Sequence, residues 1–298
     1  MQVQSQTVAH RPLVKPVGRP GWLLAPGVLW LFVFMLVPVA LMVIVSFWSS
    51  GYYGTKPDFT FKNYAKLFQS PLYSGQLLKT LRIGLEATVL SLLLSYPIAY
   101  LLSRSTGNRK ALLILLLFLP FWASYVVRAF VWLPILGRNG AINQALMALG
   151  IIDSPIDWLL YNEGAVLVGL VYVYTLFMTL PIYLSLDKID PRLIEAATDL
   201  GAKPWQVFWR ILLPLSWPGV VSGCIMVFLL TMSAYVTPQL LGGPRGILFG
   251  NVIASQFLAN NDWAFGSALA VTMVLIVVIL FLLVGRKMRI EQVFTGGS

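Results

Sequence analysis

The sequence is poor in nearly every group that carries solution chemistry. It holds 1 cysteine and 1 histidine in 298 residues, and only 11% of the chain is charged. Cys224, inside an apolar run, has no partner for a disulfide framework. His10, in a polar tail, cannot complete a typical zinc site with that one thiol, and no HExxH pattern is present. There is no GxxxxGK[ST] loop either, so any ATP and magnesium the protein depends on must be held by another chain. No cofactor is expected in this one. No nucleophile–base or metal constellation supports an enzyme. Acidic side chains are scarce too, 11 against 21 basic ones. Such an excess can signal nucleic acid. Here the basic residues fall between apolar runs, as the positive-inside rule produces, and nucleic-acid binding is not expected.

What the chain does have is hydrophobic length. Its residues are 58% hydrophobic and its mean hydropathy is +0.80, where a soluble domain is about a quarter charged. The expected fold class is an all-α polytopic membrane protein. Apolar runs at 22–48, 81–102, 111–136, 164–186, 211–236 and 263–285 each have roughly the 20 residues that cross about 30 Å of hydrocarbon. The first is too long and starts too late for a cleaved signal peptide. Residues 1–21 and 286–298 are the flanking tails. An even number of crossings puts both tails on one side. With the N-terminus cytoplasmic, 13 of the 21 Lys and Arg residues lie inside, the favoured sense.

That orientation also places the most ordered polar stretch, 187–210, inside. Asp190-Pro191 reads as an N-cap and first helical residue. Leu193, Ala196, Ala197 and Leu200 follow at helical spacing, with Arg192, Glu195 and Asp199 on another face. Gly201 suits a left-handed stop and Pro204 opens the next helix. From pattern alone the segment is either an interfacial amphipathic helix or a docking helix whose small residues let another surface approach while Arg192 and Glu195 pair across the contact.

The spelling separates the two. Glu195-Ala196-Ala197, three residues, Gly201, nine residues, Ile211, one residue, Leu213-Pro214 resembles the EAA loop of permease subunits of bacterial ABC importers at every position. The resemblance covers nearly the whole chain from Trp22 to Arg289. It is similar to the first permease subunit of spermidine/putrescine importers through Tyr96-Pro97 with Ala99, Pro120-Phe121-Trp122, Arg128, Leu149 to Ile156, Gly169 to Tyr172, Asp199 to Ala202, Gly250 to Ile253 and Asp262 to Gly266. It implies a type I importer permease fold and a multi-pass place in the bacterial inner membrane. It also implies a second homologous permease, a homodimeric cytoplasmic ATPase holding ATP and magnesium, and a periplasmic solute-binding protein. Arg192, Glu195, Ala196, Ala197, Asp199 and Gly201 would then carry the coupling to the ATPase. The solute implied is a polyamine. Relatives serving opines or aminophosphonates give the alternative, because the binding protein largely sets specificity in such importers.

Polar groups inside the spans mark packing or a pathway. Phe121, Tyr125, Arg128 and Trp132 fall on one helical face with Trp122 beside them. Tyr172, Thr175, Thr179 and Tyr183 share another, and Ser222, Met226 and Ser233 a third. Arg128 is the most costly, about 2.5–3.5 kcal/mol on insertion scales if central; its expected place is nearer the outer end, where it can snorkel to water. The residue set expected on a solute pathway is Glu86, Trp122, Tyr125, Arg128, Tyr172 and Tyr235. Glu86 also has a local account, an ion pair with Arg82 four residues before it, and it departs from the apolar residue polyamine permeases tend to carry there. A self-contained ion-coupled carrier or channel needs more intramembrane charge or an inverted repeat, and neither is evident. The glycine cluster at Gly242–Gly246 reads as a tight turn.

Overall fold

The computed structural model describes residues 25–51 and 54–295. The expected N-terminal tail and the first residues of the first span lie outside them. The protein is helical nearly throughout. Helix α1 (Ala25–Ser46) leads through a short antiparallel hairpin, β1 (Ser49–Gly51) and β2 (Gly54–Lys56), to α2 (Lys62–Gln69). Then come α3 (Pro71–Arg104), α4 (Gly107–Phe118), α5 (Tyr125–Phe130), α6 (Trp132–Leu136), α7 (Ala141–Ala148), α8 (Glu163–Leu186) and α9 (Pro191–Asp199). The chain continues through α10 (Pro204–Met232), α11 (Val236–Leu241), α12 (Phe249–Leu258) and α13 (Trp263–Thr295). Among the described residues, five helices (α1, α3, α8, α10 and α13) are long and apolar enough to span a bilayer, or six if the bent pair Gly107–Trp122 and Tyr125–Ala148 counts as one span.

That bend is the main departure from the sequence reading, which drew 111–136 as one continuous span. The chain turns by 94° there. Pro120 sits in a tight helical turn at Leu119–Trp122, and Ala123 and Ser124 are extended. A proline that removes a backbone donor favours such a break. Ser124 then starts α5 by accepting the Val127 N–H at 3.3 Å, an N-cap that makes the restart stable. α3 begins ten residues before its expected start at 81 because Pro71 can occupy a first helical turn. α10 begins at Pro204 rather than 211. The glycine cluster forms one helical turn at Gly243–Gly246.

The core is the packing of α3, α8 and α10. Its buried side chains include Ile83, Leu170, Met178, Ile182 and Val227. Close approach is bought with glycine: Gly219 and Gly223 lie four apart on α10, the small-residue pattern of membrane helix crossings. A methyl added at Gly219 would overlap the Pro181 carbonyl and the Ser185 side chain, and one at Gly223 would lie 2.7 Å from Met178 Sδ. Hydrogen bonds replace polar contact with water. Ser95 Oγ donates to the Thr175 carbonyl at 3.1 Å, Tyr174 Oη donates to the Leu230 carbonyl at 3.1 Å, and Tyr96 Oη and Ser216 Oγ lie 2.9 Å apart. A smaller core of Leu67, Phe249, Phe265 and Leu269 joins α2, α12 and α13. α1 has no buried residue in its apolar window and leans mainly on α13.

Ion pairs fasten both ends of α8. At its start, Glu163 sits between Lys79 (3.1 Å) and Arg82 of α3. At its end, Asp187 accepts from Lys110 of α4 at 2.7 Å.

Candidate functional site: a coupling helix and a membrane cavity

α9 is self-contained. Asp190 caps it by accepting the Arg192 N–H at 2.9 Å, and Pro191 takes the first position, where its missing N–H is no loss. The far end closes with paired bonds: Gly201 N–H to the Thr198 carbonyl at 2.9 Å, and Ala202 N–H to the Ala197 carbonyl at 3.0 Å. This 5→2 and 6→1 pair is the Schellman stop. It needs a left-handed residue, and Gly201 supplies it with φ +82°. No atom lies within 4 Å of where its Cβ would be, so backbone conformation, not space, selects glycine.

The buried face of α9 differs from the stripe read in the sequence. Ile194 and Ala197, with Ala202 beyond the turn, pack against the main core. Of the expected stripe only Ala197 does so. Leu193 is 50% exposed and Leu200 89% exposed, and Ala196 is exposed beside Arg192, Glu195, Asp199 and Gly201. The cause is placement: Ile189 is buried just before the helix, so α9 rolls to seat Ile194 and Ala197. The outer face combines apolar, small and charged residues. Among the described residues, no ion pair involves Arg192, Glu195 or Asp199. Trp205 and Trp209 continue the exposed surface at the start of α10, at 68% and 49% exposure.

The expected pathway residues divide. Arg128 and Tyr172 line one cavity of about 700 Å³, together with Phe121, Trp132 and Thr175, and with leucines of α3 and α4. The Arg128 guanidinium carbon stands 4.1 Å from the Phe121 ring centre, a cation–π distance. Trp132 meets Tyr172 edge to face, ring centres 5.5 Å apart. Arg128 Nε and Nη1 and Trp132 Nε1 are buried without a hydrogen-bond partner.

The other expected residues lie elsewhere. Tyr125, at the start of α5, is not among the residues that line the cavity, and its hydroxyl lies 2.9 Å from Thr237 Oγ1. Trp122, on the bend, is 80% exposed. Tyr235 ends the break after α10, and its carbonyl accepts from Asn251 at 2.9 Å. Glu86 is 3.7 Å from Arg82 on the exposed side of α3, as the four-residue spacing predicts. Thr175 and Thr179 donate to carbonyls one turn back in α8, and Ser222 does the same in α10. Their polarity is met within their own helices. The cavity leucines Leu90, Leu93, Leu94, Leu116 and Leu117 were not read from the sequence. Nothing in a uniform leucine run distinguishes a cavity wall from a lipid face.

Comparison with known proteins places the fold. The spermidine/putrescine transport system permease protein PotB of Haemophilus influenzae is 39% identical over 88% of this chain and 94% of its own length. A bacterial ABC transporter involved in the import of the acidic polysaccharide alginate superimposes on 90% of this chain and 94% of its own at TM-score 0.66 and 18% identity. The alginate transporter in complex with its pentasaccharide-bound periplasmic protein superimposes at TM-score 0.65 over 88% and 91% of the two chains. At that identity the likeness speaks for the fold. Residues 111–289, which run from α4 through the EAA stretch to α13, match the family described as binding-protein-dependent transport system inner membrane component. The chain belongs to that family, the membrane permease subunits of ABC importers.

Proposed function

We propose that this permease carries a polyamine such as spermidine or putrescine inward by alternating access, driven by a separate ATPase. The observation that carries the coupling role is α9. It is capped at both ends from within, is tied to the core by two side chains, and shows Leu193, Ala196 and Leu200 to the outside. A helix finished in this way moves as a unit when its outer face is gripped. Arg192, Glu195, Ala196, Ala197, Asp199 and Gly201 form or shape that face, and a groove of a homodimeric ATPase is its partner. The ATPase binds the ATP and magnesium. Both tails and α9 lie on the cytoplasmic side, in keeping with the distribution of Lys and Arg. A second homologous permease completes the pathway and a periplasmic binding protein delivers the solute.

Motion at α9 has a short route into the bundle. Ile189, buried just before it, belongs to the main core. Asp187, three residues before Asp190, holds Lys110 at the base of α4. α4 leads to the bend and the cavity wall. A push on α9 therefore reaches the wall through one ion pair and a few residues of chain. The polyamine assignment rests on similarity to permeases named for spermidine and putrescine. The scarcity of acidic groups in the spans leaves cation–π contacts and the second permease to receive the charge.

Recovery of subunits in mild detergent tests this reading. Stoichiometric ATPase with the native chain, lost in a Glu195→Lys, Gly201→Trp double variant, is the expected result. A native chain that emerges alone and still moves solute in liposomes would establish a self-contained carrier instead.

A further inference from the structure

We infer that the cavity around Arg128 is closed in the assembled importer by a helix of the second permease, which presents a membrane-embedded carboxylate to Arg128 and Trp132. The inference rests on the importer reading above and names one contact within it.

Depth comes first. Around the bend, Phe121 meets Phe177 at 6.0 Å between ring centres, Tyr125 meets Tyr174 at 6.5 Å, and Trp132 meets Tyr172 at 5.5 Å. These partners bracket the midpoint of α8, which runs over 24 residues from Glu163 to Leu186. Arg128 lies between Phe121 and Trp132 and is held at the same level, near the bilayer centre. A charge there is costly and is normally paired.

The missing partner is an acceptor. Three nitrogens, Arg128 Nε and Nη1 and Trp132 Nε1, are buried with nothing to donate to. The Phe121 face stabilises the cation but does not accept its in-plane N–H groups. Among the described residues none accepts from them. Glu86 is the one acidic residue inside the expected spans, and it is engaged with Arg82, which also reaches Glu163 at the start of α8.

Two other occupants fail on chemistry. Phospholipid acceptors sit in the headgroup region, so a lipid tail at mid-depth wets the leucines and leaves the donors unmet. A polyamine is itself cationic and brings donors to donors. A helix at the same depth can carry a carboxylate, whose geometry matches the guanidinium fork. The apolar surroundings suit it as well: α4, which forms one wall, has no buried residue among its 12. A bare apolar helix beside an unmet charge is the pattern of half an interface.

The test co-expresses the chain with the ATPase and the second permease and measures recovery of each in mild detergent, for native, Arg128→Gln and Arg128→Lys forms. Membrane insertion of the chain alone serves as the folding control. Arg128→Gln should lower recovery of the second permease by roughly thirtyfold or more, as loss of one member of a buried charge pair does, and Arg128→Lys should restore part of it. Each intramembrane Asp and Glu of the second permease is then neutralised in turn. One of these changes should reproduce the loss, and Arg128→Glu with Arg at that position should restore recovery. The inference is overturned if Arg128→Gln leaves recovery unchanged while solute transport falls, which would make Arg128 a solute contact. It is overturned equally if no acidic position reproduces the loss, or if added anionic phospholipid alone restores recovery. If the native chain recovers neither subunit, the importer reading itself fails. Loss of the second permease confined to Arg128 variants, with the ATPase retained, isolates this contact.

Discussion

α9 and the Arg128 cavity, the two contacts proposed above, are built in opposite ways. α9 is complete in itself. Asp190 caps its start, Gly201 and Ala202 close its end, and Ile194 and Ala197 anchor it. What it offers outward is shape: exposed leucines and small residues with charges beside them. The cavity is incomplete, with three buried donors and no acceptor. The first is a surface that can bind and release a soluble partner without leaving a backbone group unsatisfied. On the inference drawn above, the second takes a permanent neighbour, because an unpaired charge at mid-membrane is costly. On the proposed reading, the difference separates the moving contact of the importer from its fixed one.

Gly201→Trp should have the largest effect on the α9 side of this comparison. Forcing a side chain into the left-handed turn costs about 1–3 kcal/mol, and the bulk projects from the outer face. Solute uptake in cells should fall to background while the amount of protein in the membrane is unchanged. Wild-type uptake would remove Gly201 from the coupling role. Gly219→Val tests the opposite property, internal fit. The added side chain meets the Pro181 carbonyl and Ser185, an overpacking of about 1–3 kcal/mol. The thermal unfolding midpoint in detergent should drop, with ATPase recovery per folded chain preserved. An unchanged midpoint would show that α8 and α10 do not cross as closely as described.

Asp190→Ala should be milder. Loss of the cap costs about 1 kcal/mol and frays α9 without removing its outer face. Transport should fall by roughly fivefold, the population change that ~1 kcal/mol produces. A loss as complete as that of Gly201→Trp would mean that Asp190 touches the partner directly. Glu86→Gln should do least. The pair with Arg82 is half exposed, at 44% and 56%, and Arg82 keeps Glu163. Exposed pairs contribute about 0–1 kcal/mol, so uptake should stay within about twofold of native. A large drop would place Glu86 on the pathway.

The sequence disclosed the two regions unequally, for physical reasons. α9 is governed by local rules: a cap, a proline at the first turn and a glycine at the stop. Those are spelled in adjacent residues, so its ends were legible to the residue. Its rotation was not, because Leu193–Leu200 and Ile194–Ala197 are both plausible stripes, and burial of Ile189 decides between them. The crossings were legible as apolar length, and their boundaries less so, since Pro71 and Pro204 extend helices into polar sequence. The bend at Pro120 was the largest miss. Proline is tolerated inside α3 at Pro97 and α8 at Pro181, so its presence alone does not announce a break. That bend leaves Trp122 exposed; within α5 itself Tyr125 reaches Thr237 while Arg128 stays against Phe121. Tyr235, at a break after Met232, does not line the Arg128 cavity either. The pairs Lys110–Asp187 and Arg82–Glu163 join residues 77 and 81 positions apart, beyond any spacing rule.

The most direct test of the central claim is a cross-link from α9 in the assembled complex. Cys224 is the chain's one thiol, so Cys224→Ser with Ala196→Cys leaves a single reactive site on the outer face of the helix. A short cross-linker with a maleimide at one end and an amine-reactive ester at the other should join that thiol to a lysine of the ATPase, and the yield should change when ATP is supplied. Absence of any ATPase adduct, with Ala196→Cys instead labelled by an impermeant maleimide applied to the periplasmic side, would contradict the coupling role of α9 and the orientation of the permease together.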